Sequence, residues 1–194
     1  MKSPFPFITI LAAAALCLAF HPSDVRAQEH KDHDHDKKND VETLIAVLQP
    51  TIGNDVKGTV HFKDLGDGKV EVTAKVEGLD PGSKHGFHVH EYGDITAPDG
   101  TATGGHFNPD GHDHALPEKE TRHAGDFGNL EVNEAGVADF KLVVDNITLT
   151  DGKNAVIGRG VIVHAKPDDG GQPTGNAGPR VAQGVIGVAN PDDK

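Results

Sequence analysis

The chain has 194 residues, enough for one domain of ordinary size with a tail. Its 24 Gly and 12 Pro stand against 8 Phe, one Tyr and no Trp, a turn-rich, aromatic-poor composition that argues against a helical bundle. With 18 basic and 30 acidic residues the formal charge is −12, a poor match for nucleic acid or anionic lipid, which need a basic surface. Thirteen His stand out, because imidazole is a common metal ligand and a pH-sensitive group.

Residues 1–27 read as a secretory signal peptide. Lys2 supplies the basic start, Phe7 to Phe20 is an apolar run rich in Ala and Leu, and Val25-Arg26-Ala27 places small residues at the −3 and −1 positions of a cut after Ala27. The run is roughly 14 residues, too short for a helix to cross ~30 Å of hydrocarbon, so no membrane association is expected after cleavage. Cleavage removes Lys2, Asp24 and Arg26 and takes the mature charge to −13; it also removes Cys17, the only cysteine. The mature chain is therefore expected in the periplasm or secreted, with no disulfide.

Residues 28–40 (QEHKDHDHDKKND) carry no large apolar side chain and are expected to be a disordered tail. His30, His33 and His35 sit there among Asp residues as candidate accessory metal ligands; the alternative is a solvated tail with no role. From Val41 the pattern changes to period two. Val56, Gly58, Val60 and Phe62 alternate with polar residues, as do Val70, Val72, Ala74 and Val76, and Ala138, Phe140, Leu142 and Val144. Gly, Asn, Asp and Pro break the runs. Eight strands are predicted near 42–50, 56–64, 69–78, 84–91, 127–132, 137–144, 155–164 and 181–188. Short, regularly spaced strands mean an all-β antiparallel sandwich or barrel for residues 41–194. Residues 92–126 and 165–180 remain as two long loops, a length that usually signals function.

The chemistry-bearing residues gather in and beside those loops. His88 and His90 flank Val89 on a strand, so their side chains share one face. His106, His114, His123 and Asp126 follow, and His164 closes the strand before the second loop. Six His and a carboxylate exceed the needs of one tetrahedral or planar ion and suit two ions sharing a ligand. Three His with a carboxylate favour Zn(II), and an open all-His site favours Cu(II).

GFHVHEYGD (86–94), GGHFNP (104–109), HAGDFGN (123–129), VIVHA (161–165) and GNAGPRVAQGVIGVA (175–189) together resemble the copper/zinc superoxide dismutase family. The resemblance spans about residues 42–190 and implies an eight-stranded, immunoglobulin-like Greek-key barrel. It also implies an enzyme that disproportionates superoxide anion to dioxygen and hydrogen peroxide, protecting against extracytoplasmic superoxide. It implies copper on His88, His90, His106 and His164, zinc on His106, His114, His123 and Asp126, and His106 as the bridge. By the same resemblance Asp168 links the two sites through outer ring nitrogens, His85 ties backbone near copper, and Arg180 draws the anion. Family members form dimers, and a homodimer is compatible with this resemblance. The rival reading is a binding module that buffers or delivers the two metals; intact Arg180 and His106 favour the enzyme, since a store needs neither.

Two departures from the family pattern stand out. The family disulfide would join positions 100 and 183, here Gly100 and Gln183. The metal loops must then be held by packing, hydrogen bonds and the metals themselves. The segment 168–174 (DDGGQPT) is short, with no basic residue until Arg180, which implies a more open copper site with weaker steering of the anion. His61 and His112 are expected at the surface.

Overall fold

The computed structural model describes residues 41–192; the predicted signal peptide and the His-rich tail lie outside them. Eight strands form: β1 (Thr43–Pro50), β2 (Lys57–Gly66), β3 (Lys69–Glu77), β4 (Lys84–His90), β5 (Asp126–Glu131), β6 (Val137–Val144), β7 (Gly160–His164) and β8 (Arg180–Val188). They run antiparallel in the order β5-β4-β7-β8-β1-β2-β3-β6. The terminal strands β5 and β6 approach each other, so the sheet curls into a nearly closed Greek-key barrel. This agrees with the all-β expectation.

Local chemistry accounts for the strands. In β3, Val70, Val72, Ala74 and Val76 are buried, while the residues between them are half-buried or exposed. The β2–β3 hairpin turns on Asp67-Gly68, both at positive φ (51° and 73°), as a two-residue primed turn requires. Phe62, Phe87 and Phe127 fill the barrel, with ring centroids 6.2 Å apart for Phe62–Phe127 and 5.8 Å for Phe87–Phe127.

One boundary differs from expectation. The seventh strand begins at Gly160, not near 155. Ala155 instead pairs with Thr148 in an isolated bridge, and the Arg159 N–H donates to Val156 O (3.1 Å) across a turn with Gly158 at φ 76°. A positive-φ residue cannot continue the pleat, so the ladder starts after it. The first long loop is also not wholly irregular: Thr101–Thr103 form a 3₁₀ turn, and His106 pairs with His90 in an antiparallel bridge.

β4 and β7 position the site. Both are buried almost throughout, β4 from His85 onward. In β4, Phe87 and Val89 join the hydrophobic core, which leaves His88 and His90 on the opposite face, beneath the loops.

Candidate metal centre

Two groups of four side chains converge: His88, His90, His106 and His164, and His106, His114, His123 and Asp126. All are buried, and within each group the ligand atoms lie within 4.8 Å of one another. His106 belongs to both. β4 brings His88 and His90, the bridge to His90 brings His106, the end of β7 brings His164 and the start of β5 brings Asp126. The loop between β4 and β5 carries His114 and His123. The structure thus gathers every ligand-type residue singled out in the domain sequence.

The hydrogen bonds show which way each ring faces. His88 Nε2–H donates to Asp168 Oδ2 (2.9 Å), His90 Nδ1–H to Gly104 O (2.9 Å) and His164 Nδ1–H to Gly178 O (3.0 Å). The other nitrogens, His88 Nδ1, His90 Nε2 and His164 Nε2, are buried without a partner, as is His106 Nε2. Buried polar atoms are normally satisfied. Four unpaired imidazole nitrogens in one cluster are what a cation would satisfy, and an all-imidazole set suits copper.

On the other side Asp126 is the hub. Its Oδ1 lies 2.8 Å from His106 Nδ1 and 3.2 Å from His123 Nδ1, and its Oδ2 lies 2.9 Å from His114 Nδ1. Oδ2 also accepts from the Ala115 (3.2 Å) and His123 (3.1 Å) N–H groups, which fixes the carboxylate. Three imidazoles and one carboxylate form a closed donor set of the kind that suits zinc. Asp168 joins the groups, since its Oδ1 accepts from His114 Nε2 (2.9 Å) while Oδ2 holds His88.

Burial pushes the imidazoles of His88 to about 3 and His164 to about 4, outweighing the contacts with Asp168 and Gly178 that favour the cation. Burial likewise lowers His90 and His106. These rings are neutral at pH 7, the form that ligates. Burial opposes the His114 cation too, but hydrogen bonds to Asp126 and Asp168 prevail and raise it to about 9. Both carboxylates, though buried, are held below the usual range by their histidine partners.

His85 Nδ1–H donates to His164 O (2.7 Å). Arg180 Nη1 donates to Gly100 O and to Thr103 Oγ1 (3.0 Å), and Nη2 donates to Gly104 O (2.6 Å), the same carbonyl that holds His90. Gly100 and Gln183 still face each other: a Cβ on Gly100 would stand 3.5 Å from Gln183 Oε1. Gln183 Nε2 donates to Ala97 O (3.2 Å), so a hydrogen bond ties strand to loop there. His112 is exposed and belongs to neither group; His61 is half-buried on β2. Sequence reasoning assigned no role to Asn129 or Gln172. Asn129 lies inside the quoted HAGDFGN segment and pairs with both backbone groups of Asp168 (2.7 and 2.9 Å). No spacing or motif marked Gln172.

A barrel that buries two four-residue donor sets, with His106 common to both, is the architecture of a metal-binding protein. Comparison with known proteins makes this particular. A sequence profile of the copper/zinc superoxide dismutase family matches residues 56–186. Superoxide dismutase [Cu-Zn] 2 of Brassica juncea is 50% identical over 151 residues, covering 74% of this chain and 96% of that protein. The crystal structure of the clock protein EA4 superposes with a TM-score of 0.70 at 42% identity, covering 76% of this chain and 95% of that one. The chain belongs to the copper/zinc superoxide dismutase family. It is an enzyme of that class, with copper and zinc as cofactors and superoxide as substrate.

The lowered imidazoles set an acid limit for the metal-free protein. His88 and His164 resist protonation when folded but protonate near 6.5 when unfolded, so unfolding takes up protons as pH falls below 6.5. Their contribution is present above 6.5 and is lost as pH falls toward about 4 and 3. The raised His114 acts oppositely, but its contribution is complete below 6.5 and changes only between 6.5 and about 9. The midpoint of thermal unfolding of chelator-treated protein is therefore expected to fall steadily between pH 6.5 and 4; a flat profile there contradicts the burial of neutral rings.

Proposed function

We propose that the chain is an exported dismutase in which His88, His90, His106 and His164 hold copper, His106, His114, His123 and Asp126 hold zinc, and His106 bridges the two. The observation that carries this reading is the His106 ring. Its Nε2 is buried and unpartnered beside His88, His90 and His164, while its Nδ1 lies 2.8 Å from the Asp126 carboxylate. One imidazole thus presents a nitrogen to each donor set.

The reaction converts two superoxide anions and two protons into dioxygen and hydrogen peroxide, and copper, when bound, supplies the one-electron exchange. The chain's own residues supply position, protons and charge. His88, His90 and His164 are fixed through their outer nitrogens, so their inner nitrogens stay aimed at one point. His106 Nε2 is placed to carry one of the protons that peroxide requires, while Nδ1, engaged with the Asp126 group, keeps the ring from turning away. Arg180 offers a permanent cation in a planar fork, locked by three oxygen acceptors beside His90. The apolar leader supports work outside the cytoplasm, and His30, His33 and His35 support an accessory metal role for the tail.

Protein recovered after export is expected to begin at Gln28 and to hold one copper and one zinc per chain with dismutase activity; an active protein lacking either metal refutes the assignment. His106→Ala is expected to uncouple the copper and zinc spectra and to lower activity on the order of a hundredfold. Full activity with both metals bound would remove the bridge. Arg180→Ala is expected to lower kcat/KM on the order of tenfold and to flatten its dependence on ionic strength; an unchanged rate would end the steering role. Deleting residues 28–40 is expected to leave activity intact when copper is plentiful and to lower copper loading when it is scarce. Equal loading of both forms in scarce copper would leave the tail without a metal role.

A further inference from the structure

The short segment 168–175 is folded against His114 and, through Asp168, reaches His88 as well. Gln172 reaches from it to the backbone of His114 and makes both of its hydrogen bonds there. Gln172 Oε1 accepts from the His114 N–H (3.2 Å), and Nε2 donates to the His114 carbonyl (2.7 Å). Among the described residues no other group bonds to either. His114 is 2% exposed, and buried backbone groups require partners. Its stretch of loop belongs to no strand, so no ladder supplies them.

The same segment also holds the His114 ring. Asp168, four residues before Gln172, accepts from His114 Nε2 (2.9 Å). Between them Gly170, at φ 74°, reverses the chain. Gly175 closes the strap against the ring: a Cβ there would stand 2.0 Å from Asp168 Oδ1 and 2.8 Å from His114 Nε2. Backbone and ring of one ligand are thus gripped by one strap of eight residues.

We propose that Gln172 is a positioning residue for the zinc-side ligand His114: its side-chain amide sets the backbone of residue 114 while Asp168 sets the ring, and together they aim Nδ1 at the Asp126 group. This rests on the assignment of His114, with His106, His123 and Asp126, to zinc. Two fixed points leave the Cα–Cβ direction of His114 no freedom. With the amide removed, the backbone of residue 114 is no longer fixed, and Nδ1 shifts from the Asp126 carboxylate it faces while Nε2 keeps its hold on Asp168.

The test uses the full mature protein with cobalt(II) or zinc added to the metal-free form and copper measured separately. Gln172→Ala removes the clasp, and Gln172→Met removes both hydrogen bonds while keeping the side chain's length, which separates the amide from space filling. Both variants are expected to bind zinc and cobalt about tenfold more weakly, to shift the visible bands of the cobalt form, and to bind copper as the unaltered protein does. Unaltered cobalt bands and zinc affinity in both variants overturn the role of Gln172 while leaving the zinc assignment standing. Equal losses of copper and zinc, with a lower melting temperature of the metal-free protein, also overturn it, because the residue is then a general loop stitch. Failure of the unaltered protein to take cobalt at His114 overturns the zinc assignment and this proposal together.

Discussion

Burying six imidazoles and two carboxylates under one wall of a barrel is the constraint on which the rest of the structure depends. Each polar atom taken from water must find a partner, and an unpaired buried charge costs several kcal/mol. The chain meets this with a single connected network. Asp126 faces three histidines, Asp168 holds two, and the carbonyls of Gly104, Gly178 and His164 hold His90, His164 and His85. What this network leaves unsatisfied is confined largely to inward-facing ring nitrogens. The polar atoms are therefore not merely tolerated in the interior. The outer bonds of His88, His90 and His164 fix the rotation of those rings and leave their inner nitrogens without a protein partner.

The same logic explains how the loops hold their place with only one cysteine in the chain and no possibility of an internal disulfide. A native disulfide in a small exported domain typically contributes about 2–5 kcal/mol. At the corresponding place several weaker ties are spread over neighbouring residues. Gln183 reaches Ala97, Arg180 reaches Gly100, Thr103 and Gly104, the Thr51 hydroxyl donates to Arg180 O, and the Ile52 N–H donates to Pro98 O. Single hydrogen bonds contribute about 0.5–1.5 kcal/mol each, so a group of this size approaches the same range. Unlike a covalent link, which also constrains the unfolded chain, these ties act only in the folded state.

Much of the fold was legible because a strand with one buried face writes itself as alternation. β3 and β6 were readable within a residue for that reason. β7 was misjudged at its start because Ala155, Val156 and Ile157 are as apolar as a strand, and only the turn at Gly158 reveals the break. The site was legible to the degree that its chemistry resides in ligand-type side chains: His88, His90, His106, His114, His123, Asp126 and His164 could all be picked out by residue type and order. The residues that aim them were not. Asn129 and Gln172 act through primary amides on backbone groups far off in sequence, and an amide in a loop carries no periodicity or spacing that distinguishes it from a solvated one.

The acidic balance bears on the substrate in a way that composition alone conceals. A chain of charge −12 repels an anion at long range, so the approach must be governed by the field near the four-histidine group. From Asp168 to Pro179 there is no basic residue, and the strap that could have carried one is folded against His114. The three hydrogen-bond acceptors of Arg180 are all uncharged oxygens, while the nearby Asp99 carboxylate favours the guanidinium cation. Sharing the Gly104 carbonyl with His90 then fixes the distance between that charge and a ligand ring. The short loop and the arginine are thus two parts of one arrangement: the strap is committed to holding His114, and Arg180 is pinned beside His90 by neutral oxygens.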